Sequence, residues 1–178
     1  MPPKARITRD MIIDAAFDVI KTDGISIVNV RSIAKRLDCS TQPILYYFSG
    51  MNEIKTAAYK KADEYHTSFI MNLQGAYPTP LLEIGMRYVK FAVTEKELFR
   101  FLFQSDQFND KNLGELIGAD ELLPVLQMMS QAMSLSLEQA KKLFELVFLT
   151  VHGIASLLAN NAMDFHECHV QDLLSNAL

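Results

Sequence analysis

Apolar residues recur every three or four positions along nearly the whole chain, and no stretch sustains a period of two. That spacing gathers them on one face of a helix, so the pattern predicts an all-α protein. Met11, Ile12, Ala15, Ala16, Val19 and Ile20 make the first face, over about 8–22, with Thr8 as N-cap and Gly24 just past the end. Ile33, Ala34 and Leu37 form the inward side of a second helix, about 30–37, opened by Asn29. Asp38 and Cys39 follow as a tight turn. Ser40 is the expected cap of a third helix, with Pro43 in its first turn, where a missing N–H costs nothing. Ser49 and Gly50 end that helix after Phe48. A fourth starts near Met51, and Ile54, Ala58, Ala62, Tyr65, Phe69 and Leu73 continue its stripe.

Gly75 to Pro80 is the clearest break. Beyond it the pattern predicts helices over about 81–93, 95–105 and 121–133, one from Ser136 to about 160, and one over about 163–176. Residues 108–118 are polar and contain glycine, which suggests a loop with a short helix. Ser136 and Gln139 have the spacing of a capping box. The most apolar stretch, 143–159, is slightly short for a membrane span and carries Glu145 and His152, so a buried helix is expected there.

Composition narrows the class. The chain has 178 residues, 49% hydrophobic and 21% charged, which suits a folded protein of one or two small domains. No secretory pattern is visible at the N-terminus, and Cys39 and Cys168 form no CxxC, so a cytoplasmic protein with reduced thiols is expected. Net charge is −4, but it is divided unevenly. Residues 1–61 carry ten Lys/Arg against six Asp/Glu, while residues 62–178 carry seven against fifteen. A basic head on an acidic body suggests that only the head meets a polyanion.

That head contains the sequence's chief functional pattern. A helix of about eight residues, a short turn and a second helix opened by Ser40, Thr41 and Gln42 have the layout of a helix-turn-helix, centred on 29–48. In that motif the second helix enters the major groove and its first residues meet base edges. Gln42 can bond adenine through two hydrogen bonds, and Thr41 can reach a phosphate or a thymine methyl. Ser40, Pro43, Tyr46 and Tyr47 complete the expected reading helix. Arg31, Lys35 and Lys55, with Lys4 and Arg6 in a short arm behind Pro2 and Pro3, are the expected phosphate contacts. Any two short amphipathic helices joined by a turn would share this spacing.

The run Val30-Arg31-Ser32-Ile33-Ala34 through Tyr46-Tyr47-Phe48 resembles the signature of TetR/AcrR-family transcriptional regulators. There V-x-x-I-A leads to G-V-S, then L-Y-x-H-F, then a lysine entering the fourth helix. Ile12, Ala15, Ala16, Val19, Ile20 and Gly24 resemble that family's first helix, so the likeness covers about residues 7–60. Departures are clear. Asp38-Cys39 stands for Gly-Val, Leu45 for the usual Tyr, Tyr47 for the usual His, and Met51 for a common phosphate-binding Lys.

The resemblance implies a DNA-binding domain over 1–50 and a helical regulatory and dimerisation domain over 51–178. It implies a dimeric repressor on double-stranded operator DNA, released by a small, largely apolar effector. Met86, Phe91, Phe99, Phe103, Met128, Met129, Phe148 and His152 could line the effector pocket, although the same residues suit a plain core. Val151-His152-Gly153-Ile154 also resembles a His-Gly motif of one class of these C-terminal domains. The last two helices are the expected dimer surface, through Leu143, Val147, Ile154, Leu157 and Leu158. The alternative is a DNA-bound scaffold that regulates a protein partner without an inducer. No phosphate loop, G-x-S-x-G or HExxH occurs, so no enzyme, cofactor or membrane role is expected. His166, Cys168 and His169 lack a distant partner pair, and no metal site is expected.

Overall fold

The computed structural model describes residues 7–106 and 122–177. All regular structure among them is helical: α1 (Arg9–Asp23), α2 (Val30–Arg36), α3 (Gln42–Tyr47), α4 (Met51–Met71), α5 (Pro80–Thr94), α6 (Lys96–Gln104), α7 (Leu123–Met133), α8 (Leu137–Ala159) and α9 (Glu167–Ala177), with a 3₁₀ turn at Ile25–Ile27. The all-α expectation therefore holds. The arm with Lys4 and Arg6, and the expected 108–118 loop, lie outside the described residues.

The helices form two compact units. The first unit takes residues to Thr67 together with Glu95–Phe108, and the second takes Ser68–Thr94 and Asn109–Leu178.

In the first unit α1 is the hub, touching α2, α3 and α6. Its buried face is Ile12, Ala15, Ala16, Phe17, Val19 and Ile20, and the Thr8 hydroxyl accepts the Met11 N–H, as the cap pattern predicted. Asn29 caps α2 by accepting from the Arg31 and Ser32 amides, and the Ser32 side chain accepts the Asn29 N–H in return. This reciprocal cap was not anticipated, because serine at that position is shorter than the usual Glu or Gln. The third helix starts later than expected. Its N-cap is Thr41, which makes no side-chain cap bond, and Ser40 lies one residue outside.

Helix α1 ends at Gly24, whose φ of +84° disfavours any side chain, and a Cβ there would stand 2.6 Å from Glu97 Oε2 on α6. Beside it, Lys21 Nζ lies 2.8 Å from Glu95 and donates to the Tyr65 hydroxyl at 3.0 Å; that hydroxyl donates to Glu95 at 2.8 Å. Burial would lower the Lys21 pKa, but the bonds to Glu95 and Tyr65 outweigh it and raise the value. Tyr59 of α4 packs edge-on to Phe101 and donates to the Leu102 carbonyl, so α4 and α6 also share apolar and polar contacts.

In the second unit α5 lies along α8, and α9 packs on both. Gly85 is where all three meet: a Cβ would find Leu174 at 3.3 Å and Val151 at 3.5 Å. Glu83 is a buried carboxylate whose oxygens accept the Gln74 and Gly75 amides at 2.6 and 3.0 Å, holding the segment before α5. The capping box predicted for α8 is present, with Ser136 and Gln139 bonded reciprocally. Asn161, at φ 56°, turns the chain out of that helix.

Candidate functional site

The turn between α2 and α3 shows how a sequence without the usual glycine makes the motif. Asp38, in the tight turn expected there, adopts φ 48°, a left-handed conformation. The Cys39 amide then bonds the Ala34 carbonyl at 3.0 Å and the Asp38 amide bonds the Lys35 carbonyl at 3.3 Å. These are the two bonds of a Schellman stop, and they satisfy the carbonyls at the end of α2. Short polar residues tolerate this conformation better than other non-glycine residues.

The turn delivers α3 with one face in and one out. Ile44 is fully buried and Phe48, just beyond the helix, is buried too, while Gln42, Leu45 and Tyr46 point outward. Those three stand at i, i+3 and i+4, which is a single helix face. Tyr46 is 80% exposed and Leu45 60%. Thr41, Pro43 and Tyr47 are half-buried, and Ser40 is exposed. The Tyr47 ring meets Tyr46 edge-on at 5.1 Å, so the replacement for the usual His buttresses the outward tyrosine. Leu45 was not among the expected contacts. Its signal was its spacing, three residues after Gln42.

The basic residues of this unit sort into two groups. Arg9 is paired with Glu53 at 3.1 Å and stacks on Phe48; Lys61 pairs with Asp14; Arg36 donates to Thr22 and to the Asp18 carbonyl. Glu53 also accepts the Ser49 amide and hydroxyl, and these bonds, with Arg9, hold its carboxyl below the ordinary range. Such cations serve the fold. Arg31 and Lys35 are exposed on α2 and Lys55 is half-buried on α4; among the described residues none of the three forms an ion pair. Lys60, which sequence reasoning passed over, is exposed and in the same state.

The expected effector residues are distributed differently. Met86 and Phe91 are buried in the second unit, and Phe99 is buried in the first, with Phe103 half-buried beside it at 5.0 Å between rings. Phe148 and His152 stack at 5.5 Å, and His152 Nδ1 is hydrogen-bonded to the Tyr88 hydroxyl at 2.9 Å. Burial lowers the His152 pKa. This histidine is a packed and bonded part of α8. A cavity of about 460 Å³ opens elsewhere in the second unit, lined by Leu81, Leu82, Met128, Met129 and Met133 among others. Met128 and Met129 are the two expected residues that it includes.

Helix α8 carries apolar residues on two sides. Val147, Ile154 and Leu158 are buried within the protomer and Leu143 is half-buried, so of the five expected dimer residues Leu157 alone is exposed. The outward apolar stripe is instead Leu146, Leu149 and Leu157, with Gly153 between them open to solvent. By length and composition α8 could cross a membrane. Its inner face is packed on α5 and α9, as in a core helix.

Cys39 and Cys168 are free thiols. His166, Cys168 and His169 are all exposed, and among the described residues no cluster of three or more His, Cys, Asp or Glu is placed to hold a metal ion.

No protein-family model matches the chain, and no curated protein is significantly similar to it. Solved structures are. The chain is similar over 97% of its length to a TetR-like transcriptional regulator from Rhodococcus sp. RHA1, covering 96% of that chain, with a TM-score of 0.64 and 16% identity. A TetR-family member from Streptomyces coelicolor A3 aligns over 96% of this chain and 97% of its own, at TM-score 0.59 and 19% identity. The multidrug binding protein EbrR, solved with imidazole, aligns over 100% and 97%, at TM-score 0.58 and 16% identity. The helix-turn-helix and the helices that follow it thus have the fold of TetR-family transcriptional regulators.

Proposed function

We propose that the chain is a sequence-specific DNA-binding regulator of transcription, acting as a dimeric repressor in the cytoplasm. The observation that carries this reading is the outward face of α3. Gln42, Leu45 and Tyr46 stand exposed on a helix held from behind by Ile44, beside Arg31 and Lys35, two cations that form no ion pair among the described residues. A reading helix needs side chains free to meet base edges, and it needs nearby charge to meet phosphates. Residues 1–50 are the proposed DNA-binding domain and 51–178 the proposed regulatory one.

The second copy docks through the outer stripe of α8. Three leucines in one line leave an apolar surface that a lone protomer would expose to water. The effector is a small, largely apolar molecule, and the cavity bordered by Met128, Met129 and Met133 supports it. Flexible thioether chains suit ligands of irregular shape. An effector weakens operator binding only through its differential affinity for the free and DNA-bound states.

The test is selection of binding sites from a randomised duplex pool, followed by titration of the winning sequence at several salt concentrations. Affinity should fall steeply with salt. Gln42→Ala or Tyr46→Ala should each weaken the selected site by ~1–3 kcal/mol. Lys35→Ala should lower the salt slope by about one unit while affecting all sequences alike. A pool that never enriches would refute the proposal.

A further inference from the structure

We propose that Leu45 is a specificity residue that reads the 5-methyl group of a thymine. The inference rests on the DNA-reading function above and concerns what that face prefers. A lone exposed leucine needs no explanation on a protein surface. Leu45 is not placed like one. It sits in the middle of the outward face of a six-residue helix, flanked by Gln42 at i−3 and by Tyr46 at i+1. The opposite side is closed by Ile44, which is fully buried. Helix α3 therefore cannot rotate to hide Leu45 without exposing Ile44.

A leucine side chain can neither donate nor accept a hydrogen bond. It gains nothing from phosphate oxygens and nothing from the donor and acceptor edges of guanine, adenine or cytosine. The most prominent apolar feature of the major groove is the C5-methyl group of thymine. Leu45 and that methyl each lose water-exposed apolar surface when they meet, and neither leaves a polar group unsatisfied. The neighbouring residue sharpens the reading. Leu45 follows Gln42 by three positions, or about 4.5 Å of helix rise, which spans between one and two base-pair steps of about 3.4 Å and so puts neighbouring base pairs within reach of the two side chains. With Gln42 suited to adenine, the face fits an A·T-containing step in which one residue takes the adenine edge and the other a methyl.

The experiment uses the full chain and the duplex selected from the random pool. Each thymine is replaced singly by deoxyuridine, which removes the methyl and leaves base pairing intact, and affinity is read by fluorescence anisotropy. One thymine per half-site should respond, with binding weakened about fourfold, the effect of one methyl-sized apolar contact. The same replacement should be silent in Leu45→Ala, whose melting temperature, measured alongside, should match that of the parent because the side chain is exposed. Silence at every thymine in the parent overturns the inference. So does a methyl effect that persists undiminished in Leu45→Ala, since another residue must then read it. These failures differ from failure of the function itself, in which no sequence is enriched at all and both proposals fall together.

Discussion

Replacing Leu146 by Ala tests the proposed dimer without touching the protomer's core. Leu146 on α8 is 64% exposed, and Leu149 and Leu157 on the same face are about half exposed. Burying a leucine completely stabilises by ~1.5–3 kcal/mol, so the part of Leu146 still in water corresponds to about 1–2 kcal/mol. A twofold interface contains the residue twice, so the dimer should lose about 2–4 kcal/mol. That is a rise in the dimer Kd of roughly 30- to 1000-fold. Sedimentation equilibrium over a dilution series measures it directly. Leu158→Ala is the contrasting variant. Its side chain is buried in the protomer, so it should cost folding about 2–5 kcal/mol and lower the melting temperature at fixed protein concentration. A Leu146→Ala protein whose dimer Kd lies within twofold of the parent would show that the outer stripe is not the interface. A leucine already in water has little else to lose.

Further expectations follow from groups in the first unit. His66 on α4 is buried against Phe103, and burial pushes its pKa down to about 4. At pH 7.5 and above, well beyond the unfolded value of 6.5, neither the folded nor the unfolded chain protonates it appreciably. As pH falls from there to about 4 the unfolded chain takes up a proton that the folded one excludes, and stability drops by up to about 3 kcal/mol. Urea titrations at pH 7.5 and 4.5 should show a smaller loss for His66→Leu than for the parent, and equal losses refute the assignment. Asp38→Gly should raise the melting temperature by about 2–4 °C, because glycine enters the left-handed turn at φ 48° without the strain of a Cβ; a lower value would mean that the aspartate side chain stabilises the turn. Glu95→Gln removes the charge opposite Lys21, and with that lysine a third exposed the cost should be about 1 kcal/mol by denaturant unfolding.

Helices α8 and α3 show what the chain made legible and why the rest was hidden. Caps were readable where they are local chemistry: Thr8, Asn29 and the Ser136–Gln139 pair all act as their spacing predicted. The inward face of α1 was readable because polar residues frame it. Over 143–159 that contrast is weak, with apolar residues nearly all round. A helix of that kind announces its existence and conceals its phase. The buried side was chosen by α5 and α9, which lie outside that stretch, and the residues expected at a dimer surface are largely part of the protomer's own packing. The cavity was hidden for a related reason, since empty volume belongs to no single residue and depends on how α5 and α7 come together. In α3 the contrast is strong. Ile44 and Phe48 fix the inner side, so the outer side must be Gln42, Leu45 and Tyr46. Leu45 is apolar, and polarity alone would put it in a core, yet it is exposed. On a helix of six residues with so clear an inside, angular position is a stronger guide to burial than polarity, and that position leaves Leu45 on the outward face with Gln42 and Tyr46.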